Sequence, residues 1–462
     1  METDFALRTM IKRNNSMTKH HILRASLIAC GAVLLNTACT FEQDAIFEES
    51  ASLRITHRNE SIQNRLVSQS AEGNHGWLIQ YFVAGTDDAD FEGFNLFGRF
   101  YQNGKVTLAG NHRFLRTNPN AYAEHTSTYE MLAEEGPVLS FNTWNDILTV
   151  FEDPVDPSTK QQNGVGMNGD HNLVLRSYQD NEIMFSGERH SASVRFIPCD
   201  RPWQEYMDAV NKTKRDITSS AITSYYVTNG KEIKYFSGLQ RGYFNFCDRV
   251  EDPLENTVLS CVFTPTGFRI EAPDTLGANL FQEFKMAADS TCLVSEDGNV
   301  KVIAMWDEYI LKHTAIWKLK TEAFSARQQE LFAQIDAALK KYNSVASLAS
   351  IGLGRSTGGN AVVGLVFTFY TNTAKTKTNT VGLALNQSKA AFGQIKIESK
   401  PDDAIDKNMT AIGKVSPDLI NAARSFATTL NGTYNVTPNS YFLPTGAKFT
   451  SLDGSSSFEM NN

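Results

Sequence analysis

From residue 77 onward, apolar and polar positions alternate with a period of two. The apolar runs are short and rich in aromatic and β-branched side chains: 77–83, 94–101, 105–109, 127–132, 138–141, 147–151, 172–178, 182–186 and 192–197. Successive side chains of a strand point to opposite faces, so this pattern predicts strands with one buried face. Turn signals separate them at Asn103-Gly104, Glu135-Gly136-Pro137, Asp153-Pro154 and Asp180-Asn181. Strands in such close succession predict an antiparallel meander, either closed into a barrel or strongly curled, because closure removes the unpaired edges on which chains aggregate. A second series occupies 222–227, 232–236, 243–248, 258–264, 268–271, 281–286, 292–295 and 300–305, with turns at Asn229-Gly230, Thr266-Gly267 and Asp297-Gly298.

Helical spacing frames these series. Leu53, Ile62 and Leu66 recur at helical intervals in a stretch without Pro or Gly that stops at Gly73. Between the two series, Asp200 is placed to cap a helix over 202–207, with Pro202 in its first turn. In the last third, Ser325 and Gln328 form a capping box for a helix reaching Tyr342, striped by Leu331, Ile335 and Leu339. Strands are expected at 362–370 and 381–385, and a further helix opens at Ser416-Pro417 and ends at Gly432. The predicted fold class is mainly β with an α+β C-terminal module. Its sheets are antiparallel meanders or barrel-like, and the order helix, meander, helix, meander suggests two related copies. The expected divisions are a leader at 1–38, a tether and helix at 39–73, a meander domain at 74–200, a second β-rich unit at 201–310 and the α+β domain at 311–462.

The leader determines how the remainder is read. From Met17 a basic segment leads into the apolar run 25–35 and then Asn36-Thr37-Ala38-Cys39. A membrane-spanning helix needs about 20 apolar residues, so this shorter run reads as a secretory signal. It resembles a bacterial lipobox, which implies that Cys39 becomes the lipidated first residue of the mature chain. Asn36 stands where such boxes usually carry Leu, and Cys30, after Leu27-Ile28-Ala29, is a rival anchor inside the apolar run. Cleavage would remove five basic and two acidic side chains from a sequence whose formal charge is already -8. So acidic a protein is a poor partner for nucleic acid. At 462 residues, 41% hydrophobic and 20% charged, it has room for two or three packed domains.

Beyond Cys30 and Cys39 the cysteines are Cys199, Cys247, Cys261 and Cys292, none in a Cys-x-x-Cys pair. A hairpin turning at Leu254 would set Cys247 opposite Cys261 and permit a disulfide in an exported protein. Buried free thiols are the other reading.

No catalytic motif emerges, and nothing calls for a cofactor or a metal. Gly164, Gly166 and Gly169 have dinucleotide spacing but lack the preceding strand and following helix that phosphate binding requires. Gly352, Gly354, Gly358 and Gly359 read as a flexible turn without a P-loop lysine. The histidines are scattered, and Asp87, Asp88, Asp90 and Glu92 form an acidic loop without EF-hand spacing. Of the five tryptophans, Trp144 is the best furnished for ligand binding, flanked by Asn142 and Asn145. An indole face stacks on the apolar face of a sugar ring while carboxamides bond its hydroxyls. For the other tryptophans, core packing is the expectation.

Several of these stretches are familiar. Gly76-Trp77-Leu78-Ile79-Gln80-Tyr81-Phe82, Thr126-Ser127-Thr128-Tyr129-Glu130, Ser140-Phe141-Asn142-Thr143-Trp144-Asn145 and Phe151-Glu152-Asp153-Pro154, together with 47–55, resemble the Bacteroidota lipoproteins grouped as domain-of-unknown-function family 4302. The resemblance runs from Phe47 to about Pro198 and more faintly beyond. It implies an outer-membrane lipoprotein, anchored through its lipid and often encoded beside a TonB-dependent transporter and a binding lipoprotein, with the cell surface favoured over the periplasmic face as its orientation. The expected role is an accessory that binds a nutrient, glycan or peptide, or a partner. A secreted hydrolase and a lipocalin-like carrier are the alternatives. The family brings no catalytic residues to carry over.

Overall fold

The computed structural model describes residues 49–83, 92–155, 160, 162, 164, 166–218, 222–247, 257–312, 315–357 and 359–462. The leader, Cys30, Cys39, Asp87, Asp88 and Asp90 lie outside the described residues. The chain divides into a unit ending at Arg54 and a unit Ile55–Asn462, and the architecture below is that of the second.

Helix α1 (Ala51–Gln69) turns Ile62 and Leu66 inward, as their spacing predicts, whereas Leu53 is exposed. The first sheet follows, with β1 (Trp77–Phe82), β2 (Gly93–Phe100), β3 (Lys105–Gly110), β4 (Ala123–Thr128), β5 (Glu130–Ala133), β6 (Pro137–Ser140), β7 (Asn172–Gln179), β8 (Glu182–Gly187) and β9 (Ser193–Pro198). Their order is β4-β3-β2-β1-β9-β8-β7-β6-β5, all antiparallel. The two outermost strands, β4 and β5, are separated in sequence by Tyr129 alone. One residue spans two Cα steps of about 3.8 Å each, so the sheet must roll until its edges meet. The inward face is filled by Trp77, Tyr81, Leu96, Phe100, Leu108 and Phe196, among others of one buried cluster. The run 147–151, expected as a strand, instead forms a 3-10 turn at Thr149–Phe151.

Helix α2 (Trp203–Ile217) packs against the outer face of this sheet, where Trp203 and Tyr206 meet Phe97 at ring-centroid distances of 5.7 and 5.6 Å. Asp200 does not cap it. Arg201 takes both carboxylate oxygens, at 2.9 and 2.8 Å, and Pro202 stands at the cap position. The second sheet then closes into a barrel of β10 (Ser224–Thr228), β11 (Ile233–Ser237), β12 (Tyr243–Cys247), β13 (Thr257–Thr264), β14 (Gly267–Leu276), β15 (Asn279–Met286), β16 (Leu293–Ser295) and β17 (Lys301–Ala304), with β17 pairing back to β10. Cross-strand partners Tyr225, Phe236, Phe263, Phe268, Phe284 and Val302 are all buried. Tyr225 stacks on Phe236 at 5.0 Å and Phe268 meets Phe284 at 5.1 Å. The barrel is filled with side chains.

Helix α3 (Trp306–Leu311) leads into the third sheet, with β18 (Trp317–Leu319), β19 (Ser347–Arg355), β20 (Val363–Tyr370), β21 (Thr378–Ala384), β22 (Asn386–Ala391), β23 (Gln394–Glu398), β24 (Gly432–Pro438), β25 (Gly446–Ser451) and β26 (Ser457–Asn461). Its order, β21-β20-β19-β18-β26-β25-β24-β23-β22, repeats that of the first sheet strand for strand. Leu385 alone separates its outermost strands, as Tyr129 does in the first. If each bent pair counts as one strand, all three modules are eight-stranded antiparallel meanders preceded by a helix. The two expected C-terminal helices are present as insertions, α4 (Ala326–Tyr342) between β18 and β19, and, between β23 and β24, α6 (Asp418–Thr428), which follows a helix the sequence pattern did not predict, α5 (Lys407–Val415). Ser325 caps α4 through the capping box read from the sequence. Gly352 and Gly354, expected in a flexible turn, lie inside β19. A Cβ at Gly352 would stand 2.7 Å from the Trp317 carbonyl, so the glycine permits the close approach of β18.

Candidate functional site

The segment after β6 carries the residues that the sequence singles out, and the structure sends them in opposite directions. Asn145 is wholly buried. Its Nδ2 donates to Ser127 Oγ at 2.9 Å and to the His125 carbonyl at 3.1 Å, and its Oδ1 accepts the Ile147 amide at 3.0 Å. The Asn145 amide donates to Thr149 Oγ1 at 2.9 Å, and that hydroxyl donates to the Asn145 carbonyl at 2.6 Å. These bonds fold 147–151 into its turn. Every polar atom of the carboxamide is engaged inside the protein, so Asn145 is a scaffold residue and not a ligand-binding one.

Trp144 faces outward, with 43% of its surface exposed. Its indole Nε1 donates to Asp146 Oδ1 at 2.6 Å, and Asp146 Oδ2 lies 2.9 Å from His125 Nδ1. The indole bond, aided by His125 and Arg116, holds the Asp146 carboxyl below its usual range. The Arg116 guanidinium stands 4.3 Å over the Trp144 ring and also pairs with Asp153. The ring is thus fixed in orientation by a hydrogen bond and a cation–π contact. Asn142 is exposed beside it, with Oδ1 accepting from Thr128 Oγ1 at 2.6 Å and Nδ2 donating to Glu130 Oε1 at 3.0 Å. An oriented, exposed ring rimmed by a carboxamide, threonine hydroxyls and carboxylates can stack a flat apolar face and bond hydroxyl groups at its border. The other four tryptophans are buried, as expected. Trp77 and Trp203 donate to the carbonyls of Leu66 and His75 at 3.0 and 2.6 Å.

The remaining sequence candidates resolve plainly. Cys199, Cys261 and Cys292 are buried free thiols. The register of β12 on β13 pairs Phe246 with Thr257 and Tyr243 with Ser260, so Cys261 lies opposite Gly242 and bonds its carbonyl at 2.8 Å. Cys247 lies opposite Tyr235 on β11, and the disulfide that a hairpin centred on Leu254 would allow has no register to form in. Burial pushes the Cys261 thiol far up, which leaves it an unreactive core group. In the glycine-rich segment, the amides of Met167 and Gly169 donate to the Phe151 carbonyl at 2.8 and 3.1 Å and are taken from any phosphate. Among the described residues, no cluster of three or more His, Cys, Asp or Glu is placed to hold a metal ion.

Three antiparallel sheets with filled interiors and an exposed, oriented tryptophan define the chain as a β-rich protein. The chain belongs to the family described as Domain of unknown function (DUF4302), whose model matches residues 43–288. That match takes in the first sheet and continues through β15 of the barrel, well beyond Pro198. No curated protein matches the chain. Among solved structures it is similar to a DNA polymerase sliding clamp from Pseudomonas aeruginosa crystallised with ligand, at 8% identity, covering 87% of this chain and 97% of that one with a TM-score of 0.13. It is likewise similar to the DNA polymerase III subunit beta of Pseudomonas aeruginosa, at 9% identity over 88% and 97% of the two chains, with a TM-score of 0.12. Likenesses at these values carry no argument.

Proposed function

We propose that the protein is a lipid-anchored accessory of the outer membrane, attached through Cys39, that binds a nutrient glycan or peptide, or a partner, beside a TonB-dependent uptake system. The observation that carries the binding role is Trp144, the exposed tryptophan among five, fixed by Asp146 and Arg116 before any ligand arrives. A ring held in place loses little conformational entropy on binding. The lipocalin-like alternative needs an interior, and Phe263, Phe268 and Phe284 fill the closed barrel. The anchor rests on the apolar run and on Cys39 with Thr37 and Ala38 before it.

Three experiments test the reading. Metabolic palmitate labelling should be abolished in Cys39→Ala, and persistent labelling would overturn the assigned anchor. Trp144→Ala should weaken glycan retention by about tenfold with an unchanged melting temperature. Equal retention by the variant would remove Trp144 from the binding surface. A mild-detergent pull-down from outer membranes should recover a TonB-dependent transporter.

A further inference from the structure

The third module carries a charge pattern opposite to that of the chain as a whole. The sequence has 51 acidic against 43 basic side chains, yet between Asp336 and Glu398 it has seven Lys or Arg and no Asp or Glu. The fold gathers part of that charge at one end of the third sheet. The register pairs Ser347 with Tyr370 and Tyr370 with Thr378, which sets the turn after α4 beside the tip of the β20–β21 hairpin. The Asp406 amide donates to the Gly382 carbonyl and Asn408 Nδ2 to the Thr380 carbonyl, both at 3.0 Å, so α5 runs antiparallel to β21. The stretch from Asn408 to Lys414 advances the helix by about 9 Å toward the same hairpin tip. Just beyond it, Asp418 at the start of α6 pairs with Lys341 at the end of α4.

Lys375, Lys377 and Lys414 are exposed at this end and meet no carboxylate among the described residues, while Lys340 and Lys341 have one each, Asp336 and Asp418. The hairpin tip is braced, since Asn372 Oδ1 accepts the amides of Thr376 at 3.0 Å and Lys377 at 3.1 Å. Large apolar side chains project from the same end. Tyr342 closes α4 and Val345 follows in the turn, 46% and 43% exposed, and Val415 closes α5 with 60% exposed. Apolar side chains left in water singly need no explanation, but a group of them set among cations marks a contact surface.

The chemistry of the surface identifies what it meets. An anionic lipid bilayer is a diffuse layer of negative charge over an apolar interior, and apolar side chains flanked by lysines match both parts. A lysine stem lies along the apolar layer while its ammonium stays among the headgroups. The carboxylates of a protein partner are better gripped by the guanidinium fork of arginine, and the five cations here are all lysines.

We propose that this end of the third module docks on an anionic lipid surface, with Tyr342, Val345 and Val415 entering the headgroup layer and Lys375, Lys377 and Lys414 facing the lipid phosphates. The contact is separate from the Trp144 surface and does not require a lipid on Cys39.

Co-sedimentation with vesicles tests it, using the chain from residue 39 onward with Cys39→Ser so that no attached lipid contributes. The protein should sediment with vesicles of equal parts phosphatidylglycerol and phosphatidylcholine, not with phosphatidylcholine alone, and less as salt is raised. Lys375→Gln, Lys377→Gln and Lys414→Gln together should lower partitioning by roughly a hundredfold, about fivefold for each lysine. Tyr342→Ser with Val415→Ser keeps every charge and should still lower it about tenfold. Thermal melting of each variant shows that it is folded. Equal sedimentation with phosphatidylcholine alone, or undiminished binding by either folded variant, would overturn the proposal. No sedimentation with the anionic vesicles would overturn it too and give the surface to an acidic protein partner.

Discussion

Thr128 and Glu130 lie on opposite edges of one nine-stranded order, yet a single residue joins them. That residue, Tyr129, is 3% exposed. Its ring meets Phe100 edge-on at 4.9 Å, its amide donates to the Gly104 carbonyl at 2.8 Å, and its hydroxyl donates to the Tyr101 carbonyl at 3.1 Å. The closure of the sheet therefore depends on one side chain in the core. Tyr129→Ala should destabilise the protein by about 3–5 kcal/mol through the cavity it leaves. Tyr129→Phe removes only the hydroxyl bond and should cost about 1 kcal/mol. Urea unfolding followed by circular dichroism distinguishes the two, and equal midpoints for both variants would show that the ring does not close the sheet.

Neighbouring Trp144 and Asn145 should separate cleanly in a stability assay. Asn145→Ala deprives the Ile147 amide of its buried acceptor and Ser127 of its partner, and should cost about 2–3 kcal/mol. Trp144→Ala removes an exposed ring, and its effect should stay within about 0.5 kcal/mol. A large fall in the melting temperature of the tryptophan variant would place the ring in the core and count against a ligand platform.

Much of the fold is legible in the sequence because the sheets bury one face. In β8, Ile183, Phe185 and Gly187 alternate with less buried positions, and the period of two follows directly. Where both faces are buried or neither is, the signal fails. Thr149, Val150 and Phe151 are all buried, and an unbroken apolar run does not distinguish a strand from a turn. Strand Asn386–Ala391 is exposed at nearly every position and shows no alternation, so the third sheet's likeness to the first is hidden in the sequence. The site is less legible still. Asn142 and Asn145 look alike as carboxamides, and only the turn made by Thr149 sends the second inward.

Asp170 organises the loop that joins β8 to β9. Its buried carboxylate accepts the amides of Arg189 at 3.0 Å, His190 at 3.1 Å and Ala192 at 3.3 Å. Its backbone is tied to Tyr81, whose hydroxyl accepts the Asp170 amide at 2.7 Å and donates to its carbonyl at 3.1 Å. A Cβ on Gly187 would stand 1.8 Å from Asp170 Oδ2, so this glycine makes room for the carboxylate. Gly187→Ala should destabilise by about 1–3 kcal/mol through overpacking. Asp170→Ala, which leaves three amides without their charged acceptor, should cost about 3 kcal/mol or more. Because the clash vanishes with the carboxylate, the double variant should be less unstable than the sum of the two, by about 1 kcal/mol. Strict additivity in a denaturant-based double-mutant cycle would show that the glycine is there for another reason.

Two histidines should pull the pH dependence of stability in different directions. His171 Nδ1 bonds Glu152 Oε2 at 2.8 Å, and that bond, opposed by burial and aided by the charges of Glu152 and Asp170, raises its pKa. The stabilisation from the protonated ring is fully present below the unfolded value of about 6.5 and disappears as pH rises through the higher folded value. His112 behaves oppositely. Burial lowers its pKa to about 4, so between that value and about 6.5 the unfolded chain takes up a proton that the folded ring refuses. Stability should fall steadily as the pH is lowered across that window and level off below it, by about 3 kcal/mol in all at 1.36 kcal/mol per pKa unit. His112→Gln cannot titrate and can still donate to the Ile147 carbonyl, so it should flatten the acid limb. His171→Gln should instead flatten the limb above about pH 6.5 and leave the acid side unchanged. Urea midpoints measured from pH 4 to pH 8 for the three proteins decide the matter. An acid limb as steep in His112→Gln as in the wild-type protein would assign the acid sensitivity to other groups.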